Sequence, residues 1–290
     1  MSFFGVCYSP FHWRKALTVT EEEVEADMVL IAQKFTHIRT YDSIGYQKWN
    51  VDKAAKHGLT VGLGVWINPG LPPGENEASI DAAVDQAQDA AKQYGGKPVI
   101  DLVIGNELDR EDHHKYNPGQ ILSYINYANN AASKLSDIKP RVTSCFSGTV
   151  LDKSNSPWVD VIKACEDVVY LTVYPWYGQD PDHSSPGNIG PNMEWSWSHG
   201  LKQVVGLGKT IVIAEIGWPS AGRKDATPEN EKINYETTKR FLSGETDKKW
   251  DLDTFWFEMF DEEWKTDEGP QGPHWGLYTT GPNPHPKFDF

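Results

Sequence analysis

Three cysteines in 290 residues are too few for a disulfide framework, and their odd number leaves at least one thiol unpaired. Cys7, Cys145 and Cys165 fall into no CxxC spacing, so each reads as a small buried apolar side chain rather than a metal or redox ligand. No run of 18 apolar residues occurs, and no transmembrane helix is expected. The opening MSFFGVCYSP has neither the basic nor the apolar stretch of a secretory signal. Basic residues are scarce: 27 Lys and Arg stand against 41 Asp and Glu, a net charge of −14. A surface of that sign repels phosphate backbones and anionic bilayers, so neither nucleic acid nor a membrane is expected as a partner.

The signatures of several enzyme classes are missing too. There is no GxSxG elbow and no HExxH pair. Residues 206–210 imitate the end of a phosphate loop, but Gln203 stands where its first glycine is required, and the segment precedes a strand. Gly62 and Gly64 sit within an apolar run and lack the third glycine of a dinucleotide fingerprint. Glu111, Asp112, His113 and His114 are adjacent and cannot share a helix face, so they read as a solvated turn. No metal and no cofactor are expected.

What is present is an alternation. Short apolar or aromatic runs at 3–8, 37–41, 60–67, 99–104, 141–146, 168–174, 210–215 and 254–259 predict eight strands. Amphipathic stretches between them predict helices over 21–34, 48–57, 77–94, 118–135, 158–164, 193–207 and 228–242. Strands alternating with helices at this interval imply a parallel sheet. Eight units fit a closed (β/α)8 TIM barrel, an α/β fold of roughly 250 residues; an open doubly wound sheet is the alternative. The Gly- and Pro-rich segment 264–290 suggests an incomplete last helix. With no linker or low-complexity tract, residues 1–290 read as one barrel domain.

In such a barrel the residues that follow each strand form the site. Two glutamates end apolar runs, Glu107 after VIDLVIGN and Glu215 after TIVIA, on strands four and seven of the eight. There they can face each other across the mouth. Two carboxyls about 5 to 5.5 Å apart are what a retaining glycosidase needs, one as acid/base and one as nucleophile; a pair of rim salt bridges is the plain alternative. Twelve Trp and twelve Tyr add flat faces suited to sugar rings. Trp176 and Trp218, at strand ends, are the favoured platforms, with Trp195 and Trp197 behind them; core packing is the competing use of each. His12 fits the site or a satisfied loop equally.

The stretches FGVCYSP, IRTYD, IGNE, YPWY, IAEIGWPS and FDEEWK together resemble glycoside hydrolase family 17, the clan A β-1,3-glucanases and glucanosyltransferases, over essentially the whole chain. The resemblance implies Glu107 as acid/base and Glu215 as nucleophile, Asn106 on the sugar 2-hydroxyl, and Tyr174 donating to the nucleophile. It implies Arg39 and Tyr41 as the pair ordering the −1 subsite, and Glu262 with Lys265 as an ion pair at its border. Two positions depart from the family pattern: Thr172 replaces a frequent Asn, and Gly272 stands where plant members carry a glutamate. The implied partner is a β-glucan, met by a monomer that works outside the cell or in its wall. Hydrolysis and transglycosylation stay open, as do a non-catalytic glucan-binding barrel and a different β-linked polysaccharide.

Overall fold

The computed structural model describes residues 2–14, 16–110, 115–177 and 185–290; Glu111 to His114 lie outside these. Nine strands form one sheet: β1 Phe4–Cys7, β2 His37–Arg39, β3 Thr60–Val65, β4 Val99–Ile104, β5 Arg141–Thr143, β6 Cys145–Ser147, β7 Val168–Thr172, β8 Thr210–Ile216 and β9 Thr254–Trp256. Every pairing between them is parallel, in the order β5-β4-β3-β2-β1-β9-β8-β7-β6. The two ends of that order are successive pieces of the run expected as a fifth strand. The run changes partners at Ser144: Arg141 pairs with Asp101 of β4, and Cys145 with Tyr170 of β7. Ser144 itself spans the seam, its Oγ donating to the Ile104 carbonyl at 2.8 Å while its carbonyl accepts from the Tyr170 N–H at 3.2 Å. The ring is thus a (β/α)8 barrel with its fifth strand kinked.

Side chains alternate between the two faces of the sheet. Val6, Leu102, Val169, Ile211 and Trp256 pack outward with Val24, Met28 and Ile80 of the surrounding helices. Cys7, Val103, Tyr170, Val212 and Phe255 form a separate cluster inside the barrel. Both faces are covered, which is why the strands read as continuous apolar runs rather than alternating ones. All three cysteines are free and buried.

Helix boundaries follow local chemistry. α1 Glu21–Ile31 opens with a capping box in which Thr20 and Glu23 satisfy each other's backbone N–H groups. α2 Asn50–Lys56 continues a 3-10 turn, Gly45–Trp49. α3 Pro73–Tyr94 starts four residues before the expected position, at a proline that needs no partner for its missing N–H, and stops at Gly95 with φ +73°. α4 Pro118–Ala132 and α8 Pro228–Phe241 likewise begin with proline, capped by Asn117 and Thr227. The short α5 Val159–Ala164 lies between the fifth and sixth barrel strands. The stretch expected as one helix over 193–207 is three pieces: α6 Ile189–Ser196, a π turn Trp197–Leu201, and α7 Lys202–Gly206. After β9 come only 3-10 turns, Thr266–Glu268 and Gly272–His274, and no closing α-helix. No described helix is long and apolar enough to cross a membrane.

Candidate active site

Two backbone irregularities deliver the paired glutamates to the mouth. After β4 the chain turns sharply through Gly105, with φ +77°, where a Cβ would lie 2.5 Å from Leu108 Cδ2. Glu107 follows with φ +46°, a left-handed conformation that costs a non-glycine residue roughly 1–2 kcal/mol. The second irregularity is a bulge in β8. Leu171 pairs with Ile213 but Thr172 pairs with Glu215, and on the other side three steps from Ile213 to Ile216 match two from Thr254 to Trp256. The extra residue breaks the alternation, so Ala214 and Glu215 both turn inward.

Glu215 is nearly buried and receives three donors. Arg39 Nη1 lies 2.5 Å from Oε1, Tyr41 Oη donates to the same oxygen at 2.9 Å, and Tyr174 Oη donates to Oε2 at 2.6 Å. Arg39 is 1% exposed and also donates to Asn106 Oδ1 at 2.6 Å and to the Ala214 carbonyl at 3.2 Å. Burial works against its charge, yet Cys145, Tyr41 and Glu215 around it keep its pKa well above the usual guanidinium value. Burial, with Glu215 nearby, pushes the phenols of Tyr41 and Tyr174 up, so both remain protonated donors. Burial also holds the Cys145 thiol at about 12 and the Cys7 thiol higher still.

Glu107 faces the same cleft in other company. Thr172 Oγ1 donates to its Oε1 at 2.7 Å, and Arg110 Nη1 stands 3.4 Å from both carboxylate oxygens. The threonine at this departure from the family pattern is thus bonded directly to Glu107. Asp109 is anchored beside it by the backbone N–H of Ser147 at 2.7 Å.

Beyond β9, Lys265 is buried against two carboxylates: Glu258 at 2.6 and 2.7 Å and Glu262 at 2.7 Å. Ser9 Oγ holds the other oxygen of Glu262 at 2.7 Å. Burial opposes the Lys265 charge, but Glu258 and Glu262 raise its pKa; burial likewise pushes the Glu258 and Glu268 carboxyls up. Gly272, the other departure, has no room for a side chain, since a Cβ there would meet the Lys265 carbonyl at 2.0 Å.

These groups border one cavity of 1270 Å³, roomy enough for several sugar units. Glu107, Glu215, Asn106, Tyr41, Tyr174, Glu262 and Lys265 line it, with Arg39 one contact behind Glu215. The two favoured tryptophans do not line it. Trp218 is 1% exposed: its indole N–H is bonded to the Asp225 carbonyl at 2.9 Å and its ring packs edge-on against Trp176 at 4.9 Å. A loop residue near a strand end can fold back on the barrel, and these two do. The exposed aromatic faces in the cleft are Trp66, Tyr177, Trp195 and Trp264, while Trp197 packs on Trp250 away from it. His12 is buried outside the cleft, its Nε2 on Asp27 at 2.9 Å and its Nδ1 without a hydrogen-bond partner.

Sequence reasoning passed over Arg110, Glu258, Glu268 and Trp66. Only Trp66 carried a signal, as an aromatic at the end of the third strand. Among the described residues no cluster of three His, Cys, Asp or Glu is placed to hold a metal ion.

Comparison with known proteins gives the geometry a context. The BtgE/BtgC glycoside hydrolase domain profile matches residues 5–276. A probable glucan endo-1,3-beta-glucosidase of Aspergillus clavatus is 26% identical over 296 residues, covering 94% of this chain and 40% of that protein. A counterpart in Aspergillus fumigatus is 24% identical over 312 residues, covering 98% and 42%. The chain therefore spans about two fifths of the length of these relatives. Among solved structures, the glycoside hydrolase family 17 beta-1,3-glucanosyltransferase of Rhizomucor miehei matches with a TM-score of 0.73 at 19% identity, covering 99% and 97% of the two chains. A beta-1,3-glucanase and allergen of Cryptomeria japonica pollen matches at 0.72 and 19%, covering 99% and 98%. At such identity the likeness concerns the fold alone.

Proposed function

This chain belongs to the BtgE/BtgC glycoside hydrolase domain family, and from that footing we propose that it breaks β-1,3-glucosidic bonds with retention of configuration at the anomeric carbon. The observation that carries the reading is the convergence of Arg39, Tyr41 and Tyr174 on Glu215, in a cleft that Glu107 also faces. Donors arranged in this way complement a negative charge and fix the carboxylate's direction, as an attacking oxygen requires.

In the first step Glu215 attacks the anomeric carbon while Glu107 gives its proton to the departing glycosidic oxygen. In the second, Glu107 takes a proton from water or from a sugar hydroxyl, whose oxygen displaces Glu215. Asn106, with Oδ1 occupied by Arg39, turns its amide nitrogen to the sugar 2-hydroxyl. Lys265, between Glu258 and Glu262, borders the site. No cofactor enters either step. The relatives' names include glucan endo-1,3-beta-glucosidase, which supports β-1,3-glucan as the substrate. We take the chain as one catalytic barrel domain, acting as a monomer on wall or extracellular glucan.

The test is product analysis of β-1,3-gluco-oligosaccharides incubated with the protein beside β-1,4 controls. Shorter β-1,3 products identify a hydrolase, and products longer than the input a glucanosyltransferase. No change in the β-1,3 series would sink the assignment.

A further inference from the structure

The cavity has walls of two characters. One part carries Asp42, Glu107, Arg110, Glu215, Lys265 and Glu268. Among the described residues another part is neutral, made of Ser147, Gly148, Thr149, Asn192, Trp195 and Ser196. The neutral wall is tied to Glu107 by direct contacts. Thr172 bonds Glu107, the Gly148 N–H donates to the Thr172 carbonyl at 2.9 Å, and Gly148 in turn supports the segment after α6. That support is close: a Cβ on Gly200 would lie 2.0 Å from the Gly148 carbonyl oxygen. Gly200 belongs to the π turn Trp197–Leu201, and single π turns inside helices recur at functional sites.

The turn holds a specific pair, of which Trp195 lines the cleft. Trp195 is 43% exposed, and the His199 ring stacks on its indole with centroids 4.2 Å apart and an angle of 14°. His199 Nδ1 lies 2.8 Å from the Trp195 carbonyl, which locks the stack. Asn192, three residues earlier and so on the same helix face, is 5% exposed, and its Oδ1 has no hydrogen-bond partner. A flat aromatic face beside a buried amide matches a sugar ring, whose C–H face stacks and whose hydroxyls donate and accept.

We infer that Trp195 and Asn192, with the 147–149 turn, form the subsite for an acceptor sugar and steer the reaction towards transfer. The inference rests on the glycosidase reading above and extends it. The departing oxygen takes its proton from Glu107, so the leaving half of the substrate lies on the Glu107 side of the cleft. The acceptor enters by the same side, because the second step reverses the geometry of the first. There its hydroxyl oxygen bonds to the anomeric carbon, the carbon's bond to Glu215 breaks, and the hydroxyl proton passes to Glu107. Water needs no such platform, whereas a sugar acceptor, like the leaving sugar of the first step, does.

The experiment compares the unmodified chain with Trp195→Ala and Trp195→Phe on two substrates. The first is a β-1,3-gluco-oligosaccharide over a range of concentrations, read as the ratio of longer to shorter products. The second is a nitrophenyl β-1,3-gluco-oligosaccharide, whose departing group is not a sugar, read as nitrophenol release. The unmodified chain is expected to give products longer than the input. Trp195→Ala should lower the transfer-to-hydrolysis ratio roughly tenfold and lose much less on nitrophenol release, with Phe restoring most of the ratio. An unchanged ratio in Trp195→Ala, or equal losses on both readouts, overturns the inference. So does an unmodified chain that only hydrolyses at every concentration, with the glycosidase reading left standing. An unmodified chain that turns over neither substrate removes that reading and the inference together.

Discussion

Glu215 and Glu107 open onto the same cleft and are held in opposite ways. Glu215 sits at the end of a bulged strand and is met by a guanidinium at 2.5 Å and two phenols. Glu107 sits on a turn and is met by a threonine hydroxyl, with its guanidinium neighbour at 3.4 Å. The first arrangement suits a group that must stay an anion and point one way. The second gives its carboxyl a neutral hydroxyl donor and a more distant cation, an arrangement that suits the acid/base proposed for it. The two carboxylates, proposed for different work, thus differ first in how closely a cation approaches them.

The sharpest way to break the contrast is to remove the anion. Glu215→Gln is expected to lower kcat about 10⁴-fold or more while oligosaccharide binding persists, measured by steady-state kinetics and calorimetry. Retained turnover would end the assignment. Next comes the guanidinium. Arg39→Lys keeps the charge but cannot reach both Glu215 and Asn106, and loss of one bond to a charged group predicts a fall in kcat of roughly tenfold to a hundredfold. The same reasoning on the other side predicts less: Thr172→Val should cost kcat only about threefold to tenfold. If Thr172→Val proved as damaging as Arg39→Lys, the two glutamates would not differ as argued.

The smallest expected effect concerns a third carboxylate. Burial raises the Glu258 carboxyl in spite of Lys265. A group whose folded pKa lies above its unfolded value, near 4.5 here, favours the fold below that value and loses that contribution as pH rises towards the folded pKa. Glu258→Gln leaves Lys265 paired with Glu262 and removes this penalty. The melting temperature of the variant relative to the unmodified chain should therefore rise from pH 4 to pH 8, as followed by thermal denaturation.

The fold was legible because burial on both faces writes eight apolar runs into the chain, and residues at their ends fall on one rim. The division at Ser144 was not, since 141–146 is apolar enough for one strand and the change of partners is a property of ring closure. The same holds for the bulge in β8. TIVIAEI shows an acidic residue at a strand end, but alternation from the buried Ile213 would point Glu215 outward; the extra residue that turns it in is visible only in the pairing. Trp218 and Trp176 misled because position along the chain does not say which way a loop residue folds, and the indole of Trp218 found a backbone carbonyl in its own loop. Trp195 became prominent only through a π turn that the run 193–207 does not announce. Glu258 carried no signal beyond being a carboxylate near a lysine.

The left-handed backbone at Glu107 has a consequence for substitution on that turn. Glycine or asparagine would sit there at less cost, and neither would bury a carboxyl group. Such a replacement would relieve the backbone cost while giving up the bond from Thr172. A glutamate on that turn therefore carries a backbone cost that the fold does not repay and that its side chain has to justify.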